Sequence, residues 1–225
     1  ILILIGMFIV SFMDATFKYI NTSVNLYEAY FVRTLISFGV IASYLKITNK
    51  PIIFTTHYPL LTSIRVILFF FGFSSFYISL TIMPLATATA LFFASPFLIT
   101  VFAIFFLKEE VGIRRWSAVI IGFIGVYIIL NPDFNDFDYL SLTPVLCAFC
   151  YALSMIIIKK TSDKDDVYSQ MFHFYIFAIT ISLIIYFFMG DGQYNNFDHP
   201  ASQFILRKWF SNLEFSLPYM IFIGV

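Results

Sequence analysis

From Leu85 to Leu107 the chain reads LATATALFFASPFLITVFAIFFL, without one charged residue. A helix needs about 20 apolar residues to cross the ~30 Å hydrocarbon layer of a bilayer, and this run supplies them. Comparable stretches lie on both sides of it. In lipid, backbone amides must be satisfied within each segment or around a closed barrel, and runs this long without period-two alternation dictate helices. The fold class is all-α, a polytopic transmembrane helix bundle.

Composition excludes the alternatives. A chain that is 60% apolar and 12% charged, with mean hydropathy +0.90, cannot clothe a soluble globule. Its formal net charge of zero supplies no basic face for nucleic acid. The opening ILILIGMFIV lacks a basic region before it, and Asp14 and Lys18 stand where a signal peptide would place small residues. It reads as a span.

Spans are expected over about Ile1–Tyr19, Leu26–Leu45, Tyr58–Met83, Leu85–Leu107, Trp116–Leu130, Tyr139–Ile158 and Val167–Met189. An eighth starts near Phe215 and reaches Val225 at roughly half a crossing, so the chain is expected to be a piece of a longer protein, clipped at both ends. Loops after the second, fourth and sixth spans carry Lys46, Lys50, Lys108, Arg114, Arg115, Lys159, Lys160 and Lys164, against Lys18, Arg207 and Lys208 on the other side. Cytoplasmic loops hold the Lys and Arg excess, so the first set faces the cytoplasm and the acidic loop NPDFNDFD faces out. Gly190–Glu214 reads as an outer loop with a short interfacial helix near Phe204–Phe210.

A weak internal repeat underlies this map. Ser11–Ala15 in the first span can be laid on Ala148–Ala152 in the sixth, and Leu26–Phe31 on Val167–Phe172. A repeat unit of five spans is odd, so the second copy enters the membrane from the opposite side.

Pro84-Leu85-Ala86-Thr87-Ala88-Thr89-Ala90, Ser95-Pro96, Leu107-Lys108-Glu109-Glu110-Val111-Gly112, Arg114-Arg115-Trp116 and Gly122-Phe123-Ile124-Gly125-Val126 resemble the end of the first half of an EamA-type member of the drug/metabolite transporter superfamily. Phe17-Lys18-Tyr19 and Phe31-Val32-Arg33 resemble its first two helices. The resemblance implies inverted five-helix repeats, ten helices in the full-length protein with about seven and a half here. The first repeat would cover residues 1–132 and the second residues 133–225. It further implies a secondary transporter, not an enzyme, in a bacterial inner (plasma) membrane. Such a carrier moves a small organic metabolite (amino acid, nucleoside, vitamin or cofactor-like) by alternating access. Proton coupling is one drive and a homodimer one assembly; the lipid bilayer is the surrounding partner, with no nucleic acid, cofactor or metal. A membrane scaffold or subunit and an intramembrane enzyme are the competing classes. The enzyme lacks a nucleophile–base pair at depth, and the scaffold has no use for buried charge.

Charges inside spans are costly and mark cavities or ion pairs. Asp14 and Lys18 share one face of the first helix, and Glu28 and Arg33 pose the same problem in the second. Arg33 is expected to pair with Asp14 or Glu28, either as a structural lock or as a substrate or proton site. Lys18 and Arg65 are also placed to snorkel toward headgroups, and Arg65 reads as an anchor. His173 is a core histidine or a proton-coupling group. Pro96 should bend the fourth span near Phe92, while Thr87, Thr89 and the alanines around them leave room for a ligand or for close helix contact. Ala118, Gly122 and Gly125 should pack closely against a neighbour. Tyr77, Phe92 and Tyr151, with Tyr27 and Phe174, are aromatic candidates for a cavity wall. Cys147 and Cys150 lack the partners of a metal or redox site.

Overall fold

The computed structural model describes residues 2–130, 139–195 and 199–224. The expected acidic outer loop at residues 131–138 lies outside the described residues. Every regular element described is helical. These are α1 (Leu2–Ile20), α2 (Leu26–Ile47), α3 (Pro59–Ile82), α4 (Leu85–Phe92), α5 (Ser95–Leu107), α6 (Ile113–Leu130), α7 (Thr143–Thr161), α8 (Val167–Met189), α9 (Pro200–Leu206) and α10 (Leu213–Gly224). A 3₁₀ turn, Tyr139–Leu142, precedes α7. By length and apolarity, five segments among the described residues qualify to cross a membrane: α2, α3, the Leu85–Leu107 run, Leu140–Thr161 and α8. The polytopic helical bundle expected from hydropathy is present.

Local chemistry sets the ends. Asn25 caps α2 by accepting the Tyr27 amide at 2.8 Å, and Lys46 sits in the last turn, favourable at the negative end of the helix dipole. Pro59 starts α3, where a missing amide hydrogen is harmless, and Pro84 ends the approach to α4. Lys108 closes α5 in the left-handed region at φ 54°.

The Leu85–Leu107 span is interrupted where Pro96 was expected to bend it: α4 ends at Phe92 and α5 begins at Ser95, with Pro96 in its first turn. Pro96 cannot donate to the carbonyl one turn back, and the chain crosses the gap with tighter bonds, Ala94 N–H to Leu91 O at 3.1 Å among them. The short outer helix runs over Pro200–Leu206, earlier than expected, because Arg207 turns extended and Phe210 takes a left-handed φ of 56°.

The helices sort into two compact units. One consists of Ile1–Phe54 with Met171–Val225, the other of Thr55–Gln170. In the first, α10 packs on α2 and α1. Ser37 donates to the Gly224 carbonyl at 2.7 Å, and a side chain at Gly224 would strike Ile36, so glycine permits this approach. Phe12 meets Phe222 edge-on, centroids 5.6 Å apart.

In the second unit α7 is the central post, with α3, α5 and α4 against it. Gly72 lets α3 close on α7, since a Cβ there would lie 2.8 Å from the Cys150 Cβ. Ser154 and Ser75 stitch the same seam by donating to the Arg65 and Thr143 carbonyls. Among the described residues no atom comes within 4 Å of a Cβ built at Gly122 or Gly125, so the close contact expected of these small residues is not seen there; α6 leans on α4 and α5.

Candidate functional site

In the first unit a cavity of about 600 Å³ opens among α1, α2, α8 and α10. Phe8, Phe12 and Phe222 make much of its wall, while Arg33, Ser37 and Tyr175 bring its polar atoms. Arg33 and Ser37 stand one turn apart on α2, so α2 presents both to one side. Tyr175 and Ser37 are hydrogen-bonded, and the Arg33 charge reaches both Tyr175 and Asp14. Asp14 and Arg33, named from sequence as partners, are thus brought into one electrostatic neighbourhood. A guanidinium beside a carboxylate and two hydroxyls, inside a wall of rings, can bind a small molecule with a charged head and a flat body.

Glu28 is elsewhere. It is 2% exposed, accepts the Phe210 amide at 3.1 Å and feels the Arg207 charge. Asn25 donates to the carbonyls of Ile205 at 2.6 Å and Arg207 at 2.8 Å. Together they clasp the segment before α10 and hold Phe210 in a conformation that a bulky residue rarely adopts. Lys18 is half-buried one turn beyond Asp14, and His173 is half-buried on α8.

In the second unit the structure gathers Tyr77, Phe92 and Tyr151. Tyr151 lies 5.3 Å from Phe92 and 6.0 Å from Phe73, which also touches Tyr77 at 6.4 Å, all at tilted or edge-on angles suited to aromatic packing. Thr89 and Thr87 are half-buried on α4, Thr89 donating to the Leu85 carbonyl of its own helix at 2.6 Å. Pro96 is exposed in the first turn of α5 and lines a separate groove beside Phe93 and Phe97.

Arg65 is not the snorkelling anchor expected. It is 6% exposed, and its Nη2 donates to the Gln170 carbonyl at 2.6 Å. It belongs to a second clasp centred on Asp165, whose side chain is buried. Asp165 takes the Thr56 hydroxyl, the His57 amide at 2.8 Å and the His57 ring at 3.1 Å. Burial alone would raise the Asp165 carboxyl, but the His57 amide, the Thr56 hydroxyl and the His57 ring hold it below its ordinary value. Ser169 adds a bond to the Thr55 carbonyl at 3.1 Å, and Tyr58 one to Asp163 at 3.2 Å.

Sequence reasoning missed Ser37, which its spacing from Arg33 signals. It also missed Tyr175, which nothing separates from the many other rings, and Asp165, one acid in a charged loop.

Residues 1–131 match the model of the EamA-like transporter family. The chain belongs to that family. Over 184 residues it is 33% identical to the S-adenosylmethionine uptake transporter of Rickettsia felis, covering 80% of this chain and 62% of that protein. A riboflavin transporter of Rhizobium johnstonii is 39% identical over 105 residues, 47% of this chain and 35% of the relative. The pseudopaline exporter CntI of Pseudomonas aeruginosa is 21% identical over 210 residues, 93% and 70% of the two chains. This EamA-family chain therefore spans less than two thirds of the first relative's length. No solved structure matches it.

Proposed function

We propose that this chain is part of a secondary transporter, not an enzyme, that moves a small organic metabolite across a bacterial inner membrane by alternating access. The observation that carries the reading is the polar cavity around Arg33 within apolar helices, in a family whose members include the carriers above. Arg33 would engage an anionic group of the substrate, Asp14 a cationic one or a proton, and the phenylalanine wall a flat ring. S-adenosylmethionine and riboflavin, named for two relatives, both combine a ring system with polar ends and are the first substrates to test.

The two clasps support inverted repeats over residues 1–132 and 133–225. On the register read from sequence, Asn25 corresponds to Asp166 and Glu28 to Ser169. Asp166 caps α8 through the Tyr168 amide at 3.0 Å as Asn25 caps α2. Ser169 reaches the segment before α3 as Glu28 reaches the segment before α10, and these are the third and eighth spans.

The test is uptake by proteoliposomes holding the full-length protein. Radiolabelled S-adenosylmethionine or riboflavin should accumulate, and Arg33→Gln should abolish accumulation while insertion and melting temperature stay unchanged. Uptake by the variant at the unaltered rate would remove Arg33 from the site.

A further inference from the structure

Along α6 the second unit has a groove of about 410 Å³ that the transport reading does not use. Phe93, Pro96 and Phe97, around the α4–α5 break, form one wall; Ala118 and Gly122 of α6 form the other, and Arg115 stands at its rim. The groove follows from two features already described. The helix is interrupted at Phe93–Ala94 beside it, and Gly122 has no side chain to fill the space and meets no other atom within 4 Å among the described residues. A trough with so apolar a lining is filled by something apolar.

We propose that the occupant is an anionic phospholipid, with an acyl chain along Phe97 and Gly122 and its phosphate on Arg115. Charge decides between lipid and a protein helix. Arg115 is 59% exposed and only 3.7 Å from Glu109, whose carboxylate is also held by Lys159. Glu109 is thereby shared between two cations, and residues 108–115 plus Lys159 carry Lys108, Arg114, Arg115 and Lys159 against Glu109 and Glu110. The surplus is positive. Trp116, next in sequence, packs edge-on against Phe97 at 6.1 Å and so adds an amphipathic ring between Arg115 and the trough. On the topology read from Lys and Arg this end faces the cytoplasm, and basic pockets between helices there suit acidic headgroups. An acyl chain fits the rest of the trough without presenting an unpaired polar group to it.

Native mass spectrometry of the full-length protein, delipidated and then titrated with phosphatidylglycerol or phosphatidylcholine of identical acyl chains, tests the site. Phosphatidylglycerol should be retained about fivefold better, the worth of one basic residue against an anionic headgroup. Arg115→Gln should erase that preference, since the residue is exposed and its loss leaves the fold intact. Gly122→Leu should lower retention of both lipids by filling the trough. Equal retention of the two lipids by the wild type, or an unchanged preference in Arg115→Gln, overturns the proposal. So does efficient Gly122→Cys disulfide cross-linking between copies in membranes, which would make the groove a protein interface.

Discussion

The Arg33 cavity in the first unit and the Tyr151 cluster in the second use aromatic rings in two different ways. In the first unit the rings of Phe8, Phe12 and Phe222 wall an open space that holds an arginine and two hydroxyls, with Asp14 within reach of the arginine's charge. In the second, Tyr151 and its neighbours pack ring on ring at 5.3 to 6.4 Å. Rings surround a charge in the first place and one another in the second. A charged cavity is costly in lipid and persists only where it does something, whereas packed rings supply cohesion and a smooth wall. The contrast predicts that mutations in the first unit act on transport and mutations in the second act on stability.

The largest effect should come from Arg33. Arg33→Gln leaves Asp14 without its nearby cation and should cut uptake by more than about tenfold with little change in melting temperature. Arg33→Lys should recover part of the rate if charge is what matters. Loss of expression in both variants would instead make Arg33 a structural lock and break the comparison.

Tyr151→Ala comes next, expected to destabilise the protein by about 2–3 kcal/mol through the cavity it opens among Phe73 and Phe92. Tyr151→Phe keeps the ring and should be nearly neutral in detergent melts. A Tyr151→Phe variant that is stable but inactive would show that the hydroxyl meets substrate, and the two units would then share the chemistry.

Asp165→Asn should cost about 1–3 kcal/mol at neutral pH, because three donors then face a weaker acceptor in a buried place. The pH dependence has a definite sign. A carboxyl held below its ordinary value contributes its full stability above that ordinary value and loses it as pH falls through the lowered one. Wild type and Asp165→Asn should therefore differ at pH 7 and converge in strong acid; parallel melting curves across that range would mean that the carboxylate charge is irrelevant to the clasp.

The smallest expected effect is at Thr89, whose hydroxyl bonds within its own helix. Thr89→Val should leave stability within about 1 kcal/mol. Thr89→Trp separates the alternatives for α4: blocked transport with normal melting places this face on the substrate path, and lowered melting places it against a neighbour.

Hydropathy made the helices legible because lipid enforces one rule on every span, and it found α2, α3, α7 and α8 to within a few residues. In the fourth span the interruption after Phe92 was legible from Pro96, which lacks the amide hydrogen that would bond the Phe92 carbonyl. In α6 small-residue spacing states a capacity for contact, and no described residue takes it up at Gly122 or Gly125. At the site, Asp14 and Arg33 were legible since charge in a span is rare. Tyr175 and Asp165 were not, the first hidden among aromatic residues and the second in a loop whose charges also serve topology. Glu28 was legible as buried charge but not in its role, which depends on a backbone amide 182 residues away.

The approach of Gly72 to Cys150 has a practical consequence. Both native thiols, Cys147 and Cys150, are reduced and buried along the α3–α7 seam, out of reach of aqueous maleimide. They are a built-in gauge of that seam. In a full-length protein with no other exposed cysteine, reagent added during turnover would report whether α3 and α7 part: labelling that rises with substrate flux means they separate, and constant silence means they travel as one piece.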